Sequence, residues 1–494
     1  DFKVSRRLTL NLGVRLDLNA PAHEKWNRMN GPFDPTVKSG IVSQLSAATL
    51  AQYPQLANLS GSFTFAGVGN VGTTPANFNK NNWQPRVGFA YEINPRTVMR
   101  GGVGLYYSNP TNDYYQTAGF FNTNYMVTAA DSPALQQPGR VPYKNVLANP
   151  YPDGIIKPSG SSIGSLTFAG KNNDWFDSSF KTPRVWSFSF GFQFQTTRNS
   201  NLEVTYVGSR SQNLNMQKLY NIPSLDFRKQ CNLQEGGSPT YCDANVTNPF
   251  KGITAFKGTP FYLNDTISRF QLNRPFPQFS GDLTQRGRND SNIWYNSVQL
   301  TYNLRLRGGL NVMTNYNFSK EVEKWGFNDP YNNVYQQGIY LNDRPHVFKF
   351  TTIYELPFGP GKRFGGGVTN PIAKRLFNGS EATSFYTNQS GEPSDLPGNV
   401  IQLKDPRTPG GGWDGGTDWK ANQVRLWNPC VLRQFNDGSI APASFSLAKS
   451  CGTDFGNYAW LQTASYAPRY TPSRSGQIRR HHAFTADASI TKMT

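Results

Sequence analysis

The sequence predicts an all-β chain whose strands form part of a transmembrane, antiparallel, up-and-down β-barrel. Three observations predict it. Apolar and polar residues alternate strictly in about ten segments of about ten residues. The connections between those segments alternate between short and very long. The polar faces are Ser, Gly, Gln, Asn and Thr, with few of the Lys and Glu residues that usually face bulk water. Composition agrees. Of 494 residues, 49 are Lys or Arg and 31 Asp or Glu, a formal +18, yet charged residues are only 16% of the chain, against about 25% in soluble domains. With 34 Phe, 24 Tyr and 10 Trp, the chain is too aromatic for disorder. Its 46 Gly and 34 Pro argue against a mainly helical protein, because both break helices. No run of about 18 apolar residues marks a transmembrane helix, but a barrel crosses without one.

Each strand is justified by which side chains share a face. In Leu8 to Leu18 the even positions Leu8, Leu10, Leu12, Val14, Leu16 and Leu18 are apolar, while Thr9, Asn11, Gly13, Arg15 and Asp17 lie between them. Val87, Phe89, Tyr91 and Ile93 repeat the pattern, and 98–107 repeats it more weakly. From 185 to 195, Trp186, Phe188, Phe190, Phe192 and Phe194 alternate with Ser187, Ser189, Gly191, Gln193 and Gln195. A weaker segment, 201–208, leads to Val298, Leu300, Tyr302 and Leu304, then to Leu310 through Phe318. Phe348, Phe350, Thr352 and Tyr354 follow, with weaker segments at 380–389 and 483–493. A soluble sandwich also alternates. Length separates the two: about ten residues at 3.3 Å, tilted near 40°, reach roughly 25 Å, the height of an outer-membrane apolar band.

Tight turns are expected at Asn94-Pro95-Arg96, Thr197-Arg198-Asn199 and Arg305-Leu306-Arg307-Gly308, with a Gly/Pro-rich link from Pro357 to Leu376. The other connections, about 19–83, 108–183, 211–292, 321–345 and 391–481, are long. Short turns at one rim and long loops at the other are the pattern of a bacterial outer-membrane barrel, with the long loops extracellular. The whole chain, 1–494, then reads as one barrel region. It opens on Asp1 without a secretory signal and closes at Met493-Thr494 without a terminal aromatic strand, which suggests a piece of a longer chain.

Cys231 and Cys242, and Cys430 and Cys451, form two sequence-local pairs inside expected long loops. An even count in the cell envelope reads as two disulfides, each worth roughly 3 kcal/mol in the loop-entropy model. Zinc is the competing reading, but neither pair has CxxC spacing and no His lies nearby in sequence. Catalytic and cofactor motifs are formal only. Gly67-Val68-Gly69-Asn70-Val71-Gly72 matches GxGxxG but leads into Thr73-Thr74-Pro75, not a helix. Gly160-Ser161-Ser162-Ile163-Gly164 matches GxSxG without a strand before it or a helix after it. His481 and His482 are adjacent at a strand start, so they point to opposite faces, and Arg479 and Arg480 would repel a cation. No catalytic residue, metal site or cofactor is expected. The charges on the polar faces are the candidates for a solute path: Arg15, Asp17, Arg86, Glu92, Arg100, Glu203, Lys349 and Glu355. The competing role for them is bracing the wall. The net +18 carries no nucleic-acid motif; basic loops suit lipopolysaccharide phosphates, and a basic rim suits anionic solutes.

Several stretches together resemble the barrel of TonB-dependent outer-membrane receptors, and more narrowly the Oar-like group. They are the opening Phe2-Lys3-Val4-Ser5-Arg6-Arg7-Leu8-Thr9-Leu10-Asn11-Leu12-Gly13-Val14-Arg15, then Asn82-Trp83-Gln84-Pro85-Arg86-Val87-Gly88-Phe89-Ala90-Tyr91, and Leu202-Glu203-Val204-Thr205-Tyr206-Val207-Gly208-Ser209. Asn342-Asp343-Arg344-Pro345-His346 and Glu355-Leu356-Pro357-Phe358-Gly359 complete the set. The resemblance implies a barrel of about 22 strands around a plug, energised by a TonB-type protein. It also implies a receptor that binds a scarce or bulky solute and moves it into the periplasm. Neither plug nor TonB box is recognisable in these residues. A loop-displaying adhesion or assembly protein and a passive porin are the rivals, and an enzyme is a distant fourth.

Overall fold

The computed structural model describes residues 1–494 except 22, 75, 109–115, 122–146, 152–154, 156, 307, 360–361, 368, 378, 397–398, 408–416, 419–422, 425–427, 445–448, 470 and 493–494. Ten strands make one antiparallel sheet. They are β1 (Leu8–Leu16), β2 (Trp83–Asn94), β3 (Thr97–Tyr107), β4 (Arg184–Thr197) and β5 (Ser200–Leu219). The remaining five are β6 (Thr284–Arg305), β7 (Leu310–Asp329), β8 (His346–Glu355), β9 (Ser380–Gln389) and β10 (Ala483–Lys492). Each pairs with the next in sequence, the up-and-down order that short turns impose. Phe2–Lys3 pairs with the outer side of β1. Among the described residues the sheet does not close, since β10 pairs with β9 alone.

Register turns the alternation into two surfaces. One row runs through all ten strands: Leu8, Tyr91, Met99, Phe192, Val204, Leu300, Tyr316, Phe348, Asn388 and Phe484. One residue along each strand, on the opposite face, lies Glu92, Val98, Gln193, Glu203, Thr301, Asn315, Lys349, Thr387 and Thr485. The first row is apolar but for Asn388; the second is polar but for Val98. Among the described residues no second layer packs over the apolar surface as a whole. Leu12, Val14 and Phe190 are 61%, 69% and 43% exposed, so this face is not the inside of a dry sandwich. Where glycine interrupts it, an aromatic lies across the gap: a Cβ on Gly208 would run into the Phe188 ring.

The short turns fall at the expected positions, with Arg307 outside the described residues. The long connections differ from expectation in extent. β5, β6 and β7 have 20, 22 and 20 residues, so 211–219, 284–292 and 321–329 are strand rather than loop. Most of 321–345 is likewise strand, because Val334–Ile339 folds back on β7. The physical reason lies in stretches such as Gln212-Asn213-Leu214-Asn215 and Arg286-Gly287-Arg288-Asn289-Asp290, which are polar on both faces and carry no period-2 signal. At 3.3 Å per residue, β6 is roughly 70 Å long, so its upper half stands clear of an apolar band of roughly 25 Å.

The dry core is in the long loops. Phe33, Phe63, Phe65, Phe168, Trp175, Phe276, Phe279 and Leu283 form one buried cluster, drawn from the β1–β2, β3–β4 and β5–β6 connections. Phe33 meets Phe276 at 4.9 Å and Phe63 at 5.2 Å between ring centroids, both edge-on. Such pairs add about 0.5–1.5 kcal/mol each beyond area burial. A neighbouring cluster holds Ile41, Leu56, Phe250, Phe256 and Phe261. Buried asparagines fasten the irregular backbone. The Asn221 Nδ2 donates to the Phe276 and Gly281 carbonyls, both at 3.0 Å, and its Oδ1 accepts from the Phe276 amide at 2.9 Å. The β9–β10 connection builds a smaller core from Leu396, Val400, Ala459, Trp460 and Ile478.

Candidate functional site

The polar face and the loops over its rim form the candidate site. Arg15, Arg86, Glu92, Arg100, Glu203, Lys349 and Glu355 all sit at polar-face register positions, and Asp17 follows one residue beyond β1. They do not converge. The Arg15 Nε reaches the Asp17 carboxylate at 2.6 Å, and that guanidinium, with Gln84, holds the carboxyl below the usual carboxylate range. The Arg86 guanidinium lies 4.5 Å from the Tyr106 ring centroid. Glu203 accepts from the Thr205 hydroxyl at 3.1 Å, and Glu355 pairs with Lys362 at 3.0 Å. Glu203 and Lys349 share a row but are three strand steps apart, roughly 14 Å at the usual spacing. The arrangement spreads these charges along the wall rather than gathering them at one point.

Over the long-loop rim, the cap holds a cleft of 670 Å³ whose floor is Leu166, Phe168 and Ala169 and whose sides carry Lys157, Lys171 and Lys257. Among the described residues no acidic side chain lines it. An apolar floor with cationic walls suits an amphipathic solute.

A set of ion pairs missed at the sequence level clamps the β9–β10 connection to the wall. The Arg479 Nη2 donates to the Asp343 carboxylate at 2.6 Å, and its Nη1 to the Asp343 carbonyl at 2.9 Å. The Asp343 side chain is 1% exposed and its other oxygen accepts from the Glu321 amide at 2.7 Å. Arg344 pairs with Glu392, and Arg474 bonds both Glu323 and Asp395. The signal lay in Asn342-Asp343-Arg344-Pro345-His346, read only as a resemblance, and in Arg479, noticed only as a neighbour of the histidines.

Both cysteine pairs are disulfides in the long loops: Cys231–Cys242 and Cys430–Cys451, with Cα separations of 5.6 and 6.0 Å. The formal motifs have no chemical setting. Gly67 and Gly69 turn at φ 71° and 61° after the strand Ser60–Phe65, and only a single 3₁₀ turn, Gly164–Leu166, ends the GxSxG stretch. The rings of His481 and His482 are 6.1 Å apart at 78°. Among the described residues, no group of three or more His, Cys, Asp or Glu side chains is placed to hold a metal ion.

A family model described as an outer membrane beta barrel domain matches residues 1–494. No curated protein matches. Among solved structures, the outer membrane transporter YddB from Escherichia coli shares 10% identity at a TM-score of 0.31, covering 84% of this chain and 34% of its own. The siderophore receptor PirA from Acinetobacter baumannii shares 11% at 0.31, covering 63% and 29%. The FrpB iron transporter from Neisseria meningitidis shares 9% at 0.31, covering 79% and 42%. The chain thus spans between 29% and 42% of these three proteins. The assignment rests on the family match and on the two surfaces of the wall.

Proposed function

The chain belongs to the outer membrane beta barrel domain family, and from that premise we propose that it is the wall of a TonB-dependent receptor of the outer membrane. In this reading the apolar face meets lipid and the polar face meets solvent. The long loops stand outside the cell, capture a scarce or bulky solute and release it along the polar face under force from a TonB-type protein. Basic outer loops meet lipopolysaccharide phosphates. The wall contributes binding and passage, with no chemistry of its own and no nucleic-acid partner.

One observation carries the reading: a polar-faced wall whose long-loop rim, among the described residues, carries a folded loop core with a cleft in it. A folded loop core of this size favours capture over the open mouth that a passive porin needs. A second reading, surface adhesion or assembly, draws on the same feature, because a loop core with two disulfides is a rigid platform for display. The discriminating experiment uses cells expressing the full-length parent protein, with labelled ferric siderophores, cobalamin, oligosaccharides and peptides as probes. A receptor takes one of them up, loses that uptake when the TonB-type protein is deleted, and keeps surface binding. An adhesin shows no uptake of any probe and keeps cell attachment after the same deletion.

A further inference from the structure

At the opposite rim, the geometry points to an oxyanion cradle formed by Arg96, Arg198 and Arg305. These side chains come from the three successive hairpin ends β2–β3, β4–β5 and β6–β7, and they line one cavity of 670 Å³. Carboxamides make up much of the rest, Gln193, Gln195, Asn201 and Asn303 among them, with Pro95, Val98 and Leu306 as the apolar lining. All three arginines are exposed, and no described residue accepts a hydrogen bond or ion pair from their side chains. Glu92 and Glu203 sit one register step beyond Val98 and Gln193 on neighbouring strands, and neither lines the cavity or forms an ion pair.

Three guanidinium groups sharing one cavity repel one another. The fold brings them together because each lies at or within two residues of the end of its hairpin's first strand, at the same rim. A ligand relieves that repulsion if it is anionic and accepts several hydrogen bonds, which is the chemistry of a phosphate or a cluster of carboxylates. The carboxamides supply further donors beside the three guanidinium groups. Gln193, Asn201 and Asn303 share the polar-face parity of Thr301, so the cradle opens toward the solvent side of the wall. A soluble oxyanion-bearing ligand is therefore its occupant, and a phospholipid headgroup, which would approach from the apolar face, is not. This assignment does not depend on TonB coupling.

Inorganic phosphate is the probe, titrated calorimetrically against the folded chain in a zwitterionic detergent at low salt. Saturable binding is expected, weakened about tenfold by each of Arg96→Gln, Arg198→Gln and Arg305→Gln, the size of effect that loss of one charge-assisted contact produces. Arg198→Lys retains part of the affinity. Arg433→Gln, which removes the same charge from an exposed site in the long loops, leaves binding unchanged. All variants keep the heat-modifiable mobility of the folded barrel. The proposal is overturned if phosphate does not bind, or if Arg433→Gln weakens it as much as the cradle variants do. A second arm compares vesicles with and without phosphatidylglycerol. If only the vesicles discriminate wild type from the cradle variants, a lipid phosphate is the occupant and the solvent-side placement fails.

Discussion

The wall and the cap spend the same residues in opposite ways. In the wall, Phe188, Phe190, Phe192 and Phe194 stand on one face of β4, Phe190 exposed and the other three half-buried against their neighbours on the sheet. In the cap, Phe33, Phe63, Phe276 and Phe279 close around one another and are 7% exposed or less. The wall thus relies on its solvent to cover its aromatics, whereas the cap covers its own. Lipid is as apolar as the side chains it touches, so the wall is held by backbone pairing and by the cost of exposing its band to water. The cap sits in water and is held by ordinary burial of about 1.5–3 kcal/mol per large side chain.

That contrast breaks most directly at Phe279, which is 1% exposed and meets Phe63 at 5.6 Å. Phe279→Ala is expected to destabilise the cap by about 4 kcal/mol, through lost transfer energy and a residual cavity. Limited proteolysis should cut the β1–β2 and β5–β6 connections of the variant, while the wall keeps its folded electrophoretic mobility. If wall and cap unfold together, they are one cooperative unit and the contrast is wrong.

The wall is tested by two neighbours that point opposite ways. Phe190→Arg places a charge on the apolar face and is expected to cost about 3 kcal/mol in folding into lipid vesicles. Ser189→Arg places the same charge on the polar face and should cost well under 1 kcal/mol. Urea titration of vesicle-folded protein gives both values. Equal penalties would mean that the two faces meet the same medium.

How much of this was legible in the sequence follows from the same contrast. The wall announces itself because a strand with lipid on one side and water on the other must alternate, so Trp186 to Gln195 could be assigned residue by residue. The alternation stops where both faces meet water, which is why 284–292 reads as loop although Asn292 and Ile293 pair in register with Lys324 and Glu323. The cap is almost silent. Its aromatics arrive from three connections separated by more than a hundred residues, and no local period links Phe63 to Phe279. Asn221, Asn248 and Asn428 read as ordinary loop residues, although each bridges separate backbone segments from a buried position. The cysteines were the exception, because covalent partners close in sequence need no long-range pattern. The polar-face charges share one face of the sheet, but distance along it, which alternation does not encode, keeps them apart.

The smallest effect concerns how the two parts of the cap meet. Tyr466, in the β9–β10 connection, packs on Phe270 with ring centroids 4.8 Å apart and donates its hydroxyl to the Asp243 carboxylate in the β5–β6 connection. Tyr466→Phe keeps the ring and removes the bond, so a loss of about 1 kcal/mol or less is expected for this partly exposed contact, with faster hydrogen exchange around both residues. The pH dependence follows from the titration. Burial pushes the Tyr466 hydroxyl above its ordinary value, and the neighbouring Asp243 carboxylate pushes it further. A group raised on folding contributes fully below its unfolded value, near 10 for tyrosine, and loses that contribution as pH climbs toward the folded one. The margin of wild type over Tyr466→Phe should therefore hold through neutral pH and shrink above about pH 10. A margin that is absent at pH 7, or unchanged on the alkaline side, would mean that the two connections meet through ring packing alone.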